Sequence, residues 1–217
     1  MSTAPPNRRR VGRWLLGGLA LPALAGSYGA WAGWRRQQAA DALPLPDEVC
    51  RVAPLQVWTP ALGPDRLAPR QLPPDARCPV CGMYPARQPR WACQLIYRDG
   101  AAHFFDAALD LLLYLQHPGR HAPGYGQRDI ARLYVADANG NELRWLAAEA
   151  SVLLVDTRWP PAATAPMRRG ALPAFGDREQ ALQIRDRYGG ALISWSQMQG
   201  LRPEQWPESL RGLGPHH

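Results

Sequence analysis

The chain has 217 residues and a formal net charge of +7, and all 25 of its Lys and Arg residues are arginine. Six of these arginines lie in the first 36 residues, which contain no acid. From residue 37 onward 19 arginines accompany 18 acidic residues, so the body of the chain lacks the concentrated positive charge of a nucleic-acid-binding protein. The length suffices for one or two domains with a substantial core.

Residues 1–36 are predicted to be a signal peptide or membrane anchor. Residues 14–34 are uncharged, with four arginines before them and two after. An uncharged stretch of this length suits either export with cleavage or retention as a spanning helix. The excess of arginine before it predicts that the N-terminus stays in the cytoplasm. The rest of the chain is then expected outside the cytoplasmic membrane, exported or anchored through residues 14–34.

Residues 37–77 are predicted to form a proline-rich linker that contains Cys50. Eight prolines between positions 44 and 74 remove backbone donors and disfavour helix. Only residues 55–58 suit a short strand, so a semi-rigid spacer is expected. The folded domain is placed at residues 78–200, and a C-terminal tail at residues 201–217.

The first half of this domain is predicted to be a hairpin, a helix and a strand. Asp106 suits the helix N-cap. The hairpin is assigned a two-residue turn at Asp99-Gly100. The elements are strands at 91–97 and 101–105, a buried helix that ends at 116 before Pro118-Gly119, and a strand at 130–136.

The two-residue turn fixes a register for the hairpin. It places Leu95 opposite Phe104 and His103 opposite Ile96. Cys93 then lies on the buried face as a small hydrophobe. His103 is expected on the other, half-exposed face, where it cannot share a site with Cys93.

The second half repeats this order and predicts an α+β fold of two β-β-α-β units in one compact domain. Asp177 and Gln180 resemble a capping box at the start of its helix. The elements are strands at 142–146, 152–156 and 172–175, a helix that ends near residue 188 before Gly189-Gly190, and a last strand at 191–195.

The stretch most informative about chemistry is the sequence Cys-Pro-Val-Cys-Gly-Met at residues 78–83. Thiols at the spacing of Cys78 and Cys81 can converge on one ion or close a small disulfide loop. Met83 adds a thioether, and thiolate with thioether selects Cu(I) over Mg, Ca or Mn. Methionine is not a usual ligand of zinc. The spacing therefore predicts metal or redox chemistry, and Met83 favours copper.

Three other interpretations of the two cysteines stay open. A zinc-stabilised interaction module needs further ligands, and Cys50 and Cys93 are isolated in the sequence. An exported thiol–disulfide oxidoreductase places its first cysteine at a helix N-terminus, and Gly82 with the prolines after it opposes a helix. A plain disulfide suits an exported chain with four cysteines but gives Met83 no role.

The second half holds another informative methionine. Met167 follows Pro166 in an irregular, proline-rich loop, where packing gives a methionine less reason to exist than in a helix stripe. With the residues already noted it completes a pattern that resembles the NosL family, the accessory proteins of nitrous oxide reductase. The resemblance spans residues 78–195 and rests on the motif at 78–83, Trp-Ala-Cys-Gln at 91–94, Asp99-Gly100, Phe105-Asp106, Pro166-Met167, Ala174-Phe175 and Gly189-Gly190.

The resemblance implies a periplasmic Cu(I)-binding metallochaperone rather than an enzyme. Such a protein receives copper from a donor and delivers it to the copper–sulfide centre of nitrous oxide reductase, and its fold is two β-β-α-β units. Family members are usually lipoproteins, whereas this chain has Ser27 where the lipidated cysteine belongs.

The site residues implied by the resemblance are four. Cys81 and Met83 match the thiolate and thioether of the motif, and Cys78 its leading cysteine. Met167 matches the methionine that closes the site from the second unit. Two arginines follow Met167 where small residues are expected.

Overall fold

Two small antiparallel sheets organise the described part of the chain. The computed structural model describes residues 53–140, 142–159 and 172–211, all of which belong to one unit, Glu48–His217. The strands are β1 (Cys93–Tyr97), β2 (Ala102–Phe105), β3 (Ile130–Ala136), β4 (Trp145–Ala147), β5 (Val152–Val155), β6 (Ala174–Phe175) and β7 (Ala191–Ser194). The α-helices are α1 (Ala108–Gln116), α2 (Pro118–His121), α3 (Arg178–Tyr188) and α4 (Trp195–Gly200). Short 3-10 helices at Pro60–Leu62, Pro85–Arg87, Pro89–Trp91, Gln127–Asp129, Ala148–Ala150, Pro203–Gln205 and Glu208–Leu210 join them.

The two sheets share one pattern of strand order. The first runs β2-β1-β3-β4 and the second β6-β5-β7, all antiparallel. In each, the first strand of the unit is central, its hairpin partner lies on one side, and the strand after the helix lies on the other. The predicted α+β fold with two β-β-α-β units is therefore confirmed. The strand predicted at 142–146 was assigned to the second half, which is wrong: it forms β4 and pairs with β3 at the edge of the first sheet.

The register of the β1–β2 hairpin differs from the prediction by one residue. Leu95 lies opposite His103, and Tyr97 closes the hairpin with its N–H on the Ala101 carbonyl, 2.8 Å away. The turn therefore has three residues, 98–100, and ends with Gly100 at φ 91°, the left-handed residue that three-residue hairpin loops favour. Because side chains alternate along a strand, this shift moves His103 to the face that carries Cys93.

Helix α1 covers this face of the first sheet. It is buried on most sides, as its leucines predict, and it packs with Leu95, Tyr97 and Phe105 in the main core. Its N-cap is Ala107 rather than Asp106, and Ala107 makes no side-chain cap bond. In the second unit, the carboxylate of Asp177 accepts the backbone N–H of Glu179 at 2.8 Å and caps α3 as predicted.

The opposite face of the first sheet is covered by residues 53–77. Leu67, Leu72 and Ala76 pack against Ile96 and its neighbours on that face. Gln56 bridges Ala102 at the edge of β2. The sequence placed these residues in a spacer because their prolines exclude a helix, but an extended chain can still cover a sheet.

Arg70 fastens this segment to the sheet. It is 5% exposed, and its guanidinium donates to the Gln56 carbonyl at 3.1 Å and to the Gly100 carbonyl. Its backbone N–H donates to the Gln94 side chain at 3.0 Å, and its carbonyl accepts the Trp145 indole N–H at 2.9 Å. Burial lowers the pKa of Arg70, and the nearby Asp99 charge opposes this shift.

Part of the predicted C-terminal tail also packs in the core. Trp206 and Leu210 are buried in the main core cluster, together with Met198 of α4. Across residues 53–140, 142–159 and 172–211, no helix has the length and apolar character needed to cross a membrane. The predicted export segment, Cys50 and Met167 lie outside the described residues.

Candidate metal site

Residues 78–83 form a tight loop closed by two backbone hydrogen bonds. The N–H of Cys78 donates to the Met83 carbonyl, and the N–H of Gly82 donates to the Cys78 carbonyl, both at 2.9 Å. Gly82 has φ 72°, a conformation that side-chain-bearing residues rarely adopt, although a Cβ there would meet no atom within 4 Å. The glycine thus serves the backbone turn that brings the two cysteines of the loop together.

The thiols of Cys78 and Cys81 contact one another from different depths. Cys78 is 1% exposed, whereas Cys81 is half-buried and reaches the surface. Both are free thiols, and so is Cys93. Burial raises the pKa of the Cys78 thiol well above its ordinary value. Its hydrogen bond with the Cys81 side chain and the charge of Asp110 add to the shift, and the Cys81 backbone N–H opposes it.

Asp110 is a third member of the site, contributed by the first turn of α1. Its carboxylate and the sulfur atoms of Cys78 and Cys81 all lie within 4.8 Å of one another, and Asp110 is 1% exposed. No other group of three such ligands occurs among the residues described. Asp110 was not predicted from the sequence, where the available signal was an acid inside a run of leucines predicted to form a buried helix.

Cys93 is part of the hydrophobic core rather than of the metal site. Cys93 is buried, and its thiol donates to the Trp91 carbonyl at 3.7 Å. Burial raises its pKa, and the charges of Asp110 and Asp106 add to the shift. Its predicted role as a small buried hydrophobe is confirmed.

The predicted methionine ligands are placed only in part. Met83 ends the loop, half-buried, and its carbonyl closes the turn on Cys78. Met167 belongs to the segment between the last two described ranges, so its relation to the loop remains a prediction.

Two histidines contact Tyr114 of α1. His121 donates to the Pro79 carbonyl and stacks on Tyr114 of α1, with ring centroids 5.3 Å apart. Burial lowers the pKa of His121, and the Pro79 contact opposes this shift. His103 is buried at 1% exposure rather than half-exposed, and neither of its ring nitrogens has a hydrogen-bond partner in the described structure. Burial lowers the pKa of His103 to about 4.

The geometry opposes a thiol–disulfide oxidoreductase. The nucleophilic cysteine of such an enzyme is exposed and has a lowered pKa at a helix N-terminus. Here Cys78 is buried with a raised pKa, and the loop is followed by the 3-10 helix Pro85–Arg87 instead of an α-helix. The arrangement suits a metal site in which the buried Cys78 holds the ion and the half-buried Cys81 is partly accessible to a partner.

Comparisons with known proteins found a similar solved structure and a matching family. Among solved structures, the copper chaperone NosL from Shewanella denitrificans is similar at 16% sequence identity, with a TM-score of 0.47 over 63% of this chain and 98% of that chain. The curated proteins contain no match. The sequence model of the NosL family matches residues 69–201, which include the loop at 78–83 and both units of the fold. The chain therefore belongs to the NosL family.

Proposed function

We propose that this protein is a periplasmic copper chaperone that binds Cu(I) at Cys78, Cys81 and Met83. The observation that carries the proposal is the convergence of two free thiols in one loop, with Cys78 buried and Cys81 only half-buried. Soft sulfur ligands select Cu(I). A site held by few ligands and open on one side can exchange its ion with an incoming ligand, as a carrier requires.

The buried thiol and the accessible thiol take different roles in this proposal. Cys78 holds the ion from within the core, and Cys81 presents it to a partner. Met83 lies two residues after Cys81 in the same loop and supplies the thioether ligand in this proposal. Met167 closes the site from the second unit when copper is bound.

Asp110 sets the charge of the site rather than holding Cu(I). A carboxylate oxygen is a hard ligand and binds Cu(I) poorly in comparison with sulfur. Burial is the main cause of the raised pKa of Cys78, and the charge of Asp110 adds to it and so opposes the loss of the thiol protons. Proton release is part of thiolate binding, so we expect Cu(I) affinity to fall as the pH falls.

The proposed acceptor is the copper–sulfide centre of nitrous oxide reductase, and the role is delivery without catalysis. Family membership and the partial accessibility of Cys81 support it. Residues 1–36 export the chain or anchor it to the membrane, so that the domain works in the periplasm beside its copper donor and acceptor.

Anaerobic titration of the chain, purified without added metal, tests this function. Competition with a coloured Cu(I) chelator should give one tightly bound Cu(I) per chain. The loaded protein should then raise the copper content of copper-free nitrous oxide reductase. Absence of Cu(I) binding would contradict the chaperone role, whereas binding without transfer would contradict only the acceptor.

The donor set gives a zinc-stabilised interaction module as the second candidate. Two thiolates and a carboxylate are all ordinary zinc ligands, and Asp110 lies within 4.8 Å of both sulfurs. This candidate predicts zinc in the purified protein and unfolding on addition of a chelator. The copper proposal predicts that the apoprotein stays folded, because the main core consists of apolar side chains from both sheets and from helix α1.

A further inference from the structure

Two arginines border the metal loop on the protein surface. Arg77 precedes Cys78 directly, and Arg87 lies in the 3-10 helix that follows the loop. Both side chains are exposed, and both guanidiniums lie against the ring of Tyr84, with centroid distances of 4.4 Å for Arg77 and 4.8 Å for Arg87. Tyr84 is thus held between two positive charges.

This cluster, Arg77, Tyr84 and Arg87, is preorganised. Arg77 also donates to the Tyr84 hydroxyl and to the Gly82 carbonyl, the latter at 3.5 Å. The Arg87 backbone N–H donates to the Tyr84 carbonyl at 3.0 Å. Arginine on an aromatic face is a favourable contact that restricts both side chains. Less conformational entropy is then lost when a partner binds them.

The charge of the cluster is not balanced locally. Within the described ranges neither guanidinium forms an ion pair. Between residues 70 and 90 the sequence has Asp75 as its single acid. Of the four arginines in that stretch, Arg70 is buried against the sheet and Arg90 donates to the Ala138 carbonyl at 3.1 Å. The two remaining arginines therefore present positive charge beside the loop that carries the half-buried Cys81.

We propose that Arg77, Tyr84 and Arg87 form a docking surface for an acidic protein partner that exchanges copper with the loop. The inference rests on the proposed copper function. A partner must bring its own metal ligands to Cys81, so the surface it touches is the rim of the loop. Carboxylates that border the partner's metal ligands would pair with both guanidiniums, and arginine binds carboxylates through two parallel hydrogen bonds.

Charged rims mainly affect how fast partners associate. Attraction between opposite charges raises association rates by 10- to 1000-fold at low ionic strength, and salt removes the effect. The expected signature is therefore a salt-dependent rate of copper transfer with an unchanged copper affinity.

The test uses the full-length chain and two fluorescent acceptor peptides. Both peptides share one Cys-x-x-Cys copper motif, which is flanked by aspartates in one and by lysines in the other. Arg87→Glu removes a charge that is not hydrogen-bonded to the loop, and Arg77→Glu with Arg87→Glu reverses the whole cluster. Arg187→Glu is the matched control, because Arg187 lies over Tyr188 on α3 at 5.3 Å in the same kind of contact.

At low salt we expect the wild-type protein and the Arg187→Glu control to transfer Cu(I) to the acidic peptide at least tenfold faster than the double variant does. At high salt the three rates should converge. Fluorescence anisotropy of the acidic peptide with the apoprotein should show the same order, and this measurement does not require copper. The lysine peptide should show no such preference.

Three results would overturn the proposal. Equal slowing in the Arg187→Glu control would show that only total charge matters. A changed Cu(I) affinity in Arg87→Glu would show that the arginine serves the metal site itself. Loss of binding to anionic lipid vesicles in the double variant, with unchanged peptide binding, would assign the surface to a membrane. Failure of the wild-type chain to bind Cu(I) would refute the chaperone function, while the anisotropy arm would still test docking.

Discussion

Replacing Asp110 by asparagine should strengthen Cu(I) binding. The substitution keeps the shape of the side chain in the first turn of α1 and removes its charge. When one Cu(I) displaces the protons of Cys78 and Cys81, the site becomes one unit more negative. The carboxylate, whose oxygen lies within 4.8 Å of both sulfurs, opposes this change.

The distance between the Asp110 carboxylate and the two sulfurs sets the size of the expected change in Cu(I) affinity. Two like unit charges at 4.8 Å repel by about 3 kcal/mol at an effective dielectric constant of about 20. Since about 1.4 kcal/mol corresponds to a tenfold change in an equilibrium constant, the full repulsion amounts to roughly hundredfold. The extra charge is shared over both sulfurs and neighbouring dipoles relax, so we expect affinity to rise by about tenfold.

Anaerobic competition against a coloured Cu(I) chelator measures this affinity. Asp186→Asn, which removes an exposed acid on α3, is the control and should leave it unchanged. Zinc affinity should move in the opposite direction, because Zn²⁺ with two thiolates is neutral and accepts a carboxylate ligand. Weaker Cu(I) binding in the Asp110→Asn variant would show that the carboxylate holds the ion and would refute this reasoning.

Three further outcomes are expected. Met83→Ala should weaken Cu(I) binding in the same competition assay without abolishing it, since the two thiols remain. Folding lowers the pKa of His103 from 6.5 to about 4, so the unfolded chain binds a proton more readily than the folded protein between these pH values. The free energy of unfolding should therefore fall by about 3 kcal/mol as the pH falls from 6.5 to 4. In urea unfolding, His103→Phe should lose less stability over this pH range than the wild-type protein. Gly100→Ala should lower the urea midpoint of unfolding more than Gly124→Ala does. Both glycines have positive φ, but only at Gly100 would an added Cβ meet another atom, the Cβ of Trp58 at 2.8 Å. Equal losses in the two variants would show that this clash does not destabilise the protein.

The sequence was sufficient for the order of elements because each has a local signal. Alternating strand formers, leucine-rich helix and glycine stops predict two β-β-α-β units, and the sheets follow that order. The hairpin register was wrong because an Asp-Gly pair suits both two-residue and three-residue turns. Only the packed structure selects the longer turn, and that choice moves His103 into the core.

The two cysteines of the metal site could be predicted from the sequence, whereas the third residue of the site, Asp110, could not. Cys78 and Cys81 are close along the chain, so their spacing alone indicates a shared site. Asp110 joins them through the packing of α1 on the sheet, which no local pattern encodes. Residues 53–77 show the same limit, since their role in covering the sheet depends on Arg70 and its partners in distant strands.

The central claim is that the thiols of the loop, and not the buried thiol of the strand, bind the ion. Competition for Cu(I) between a chelator and the Cys81→Ser and Cys93→Ser variants tests it most directly under anaerobic conditions. We expect Cys81→Ser to lose stoichiometric Cu(I) binding and Cys93→Ser to keep nearly the wild-type affinity. Equal loss in both variants, with both proteins folded by circular dichroism, would contradict it.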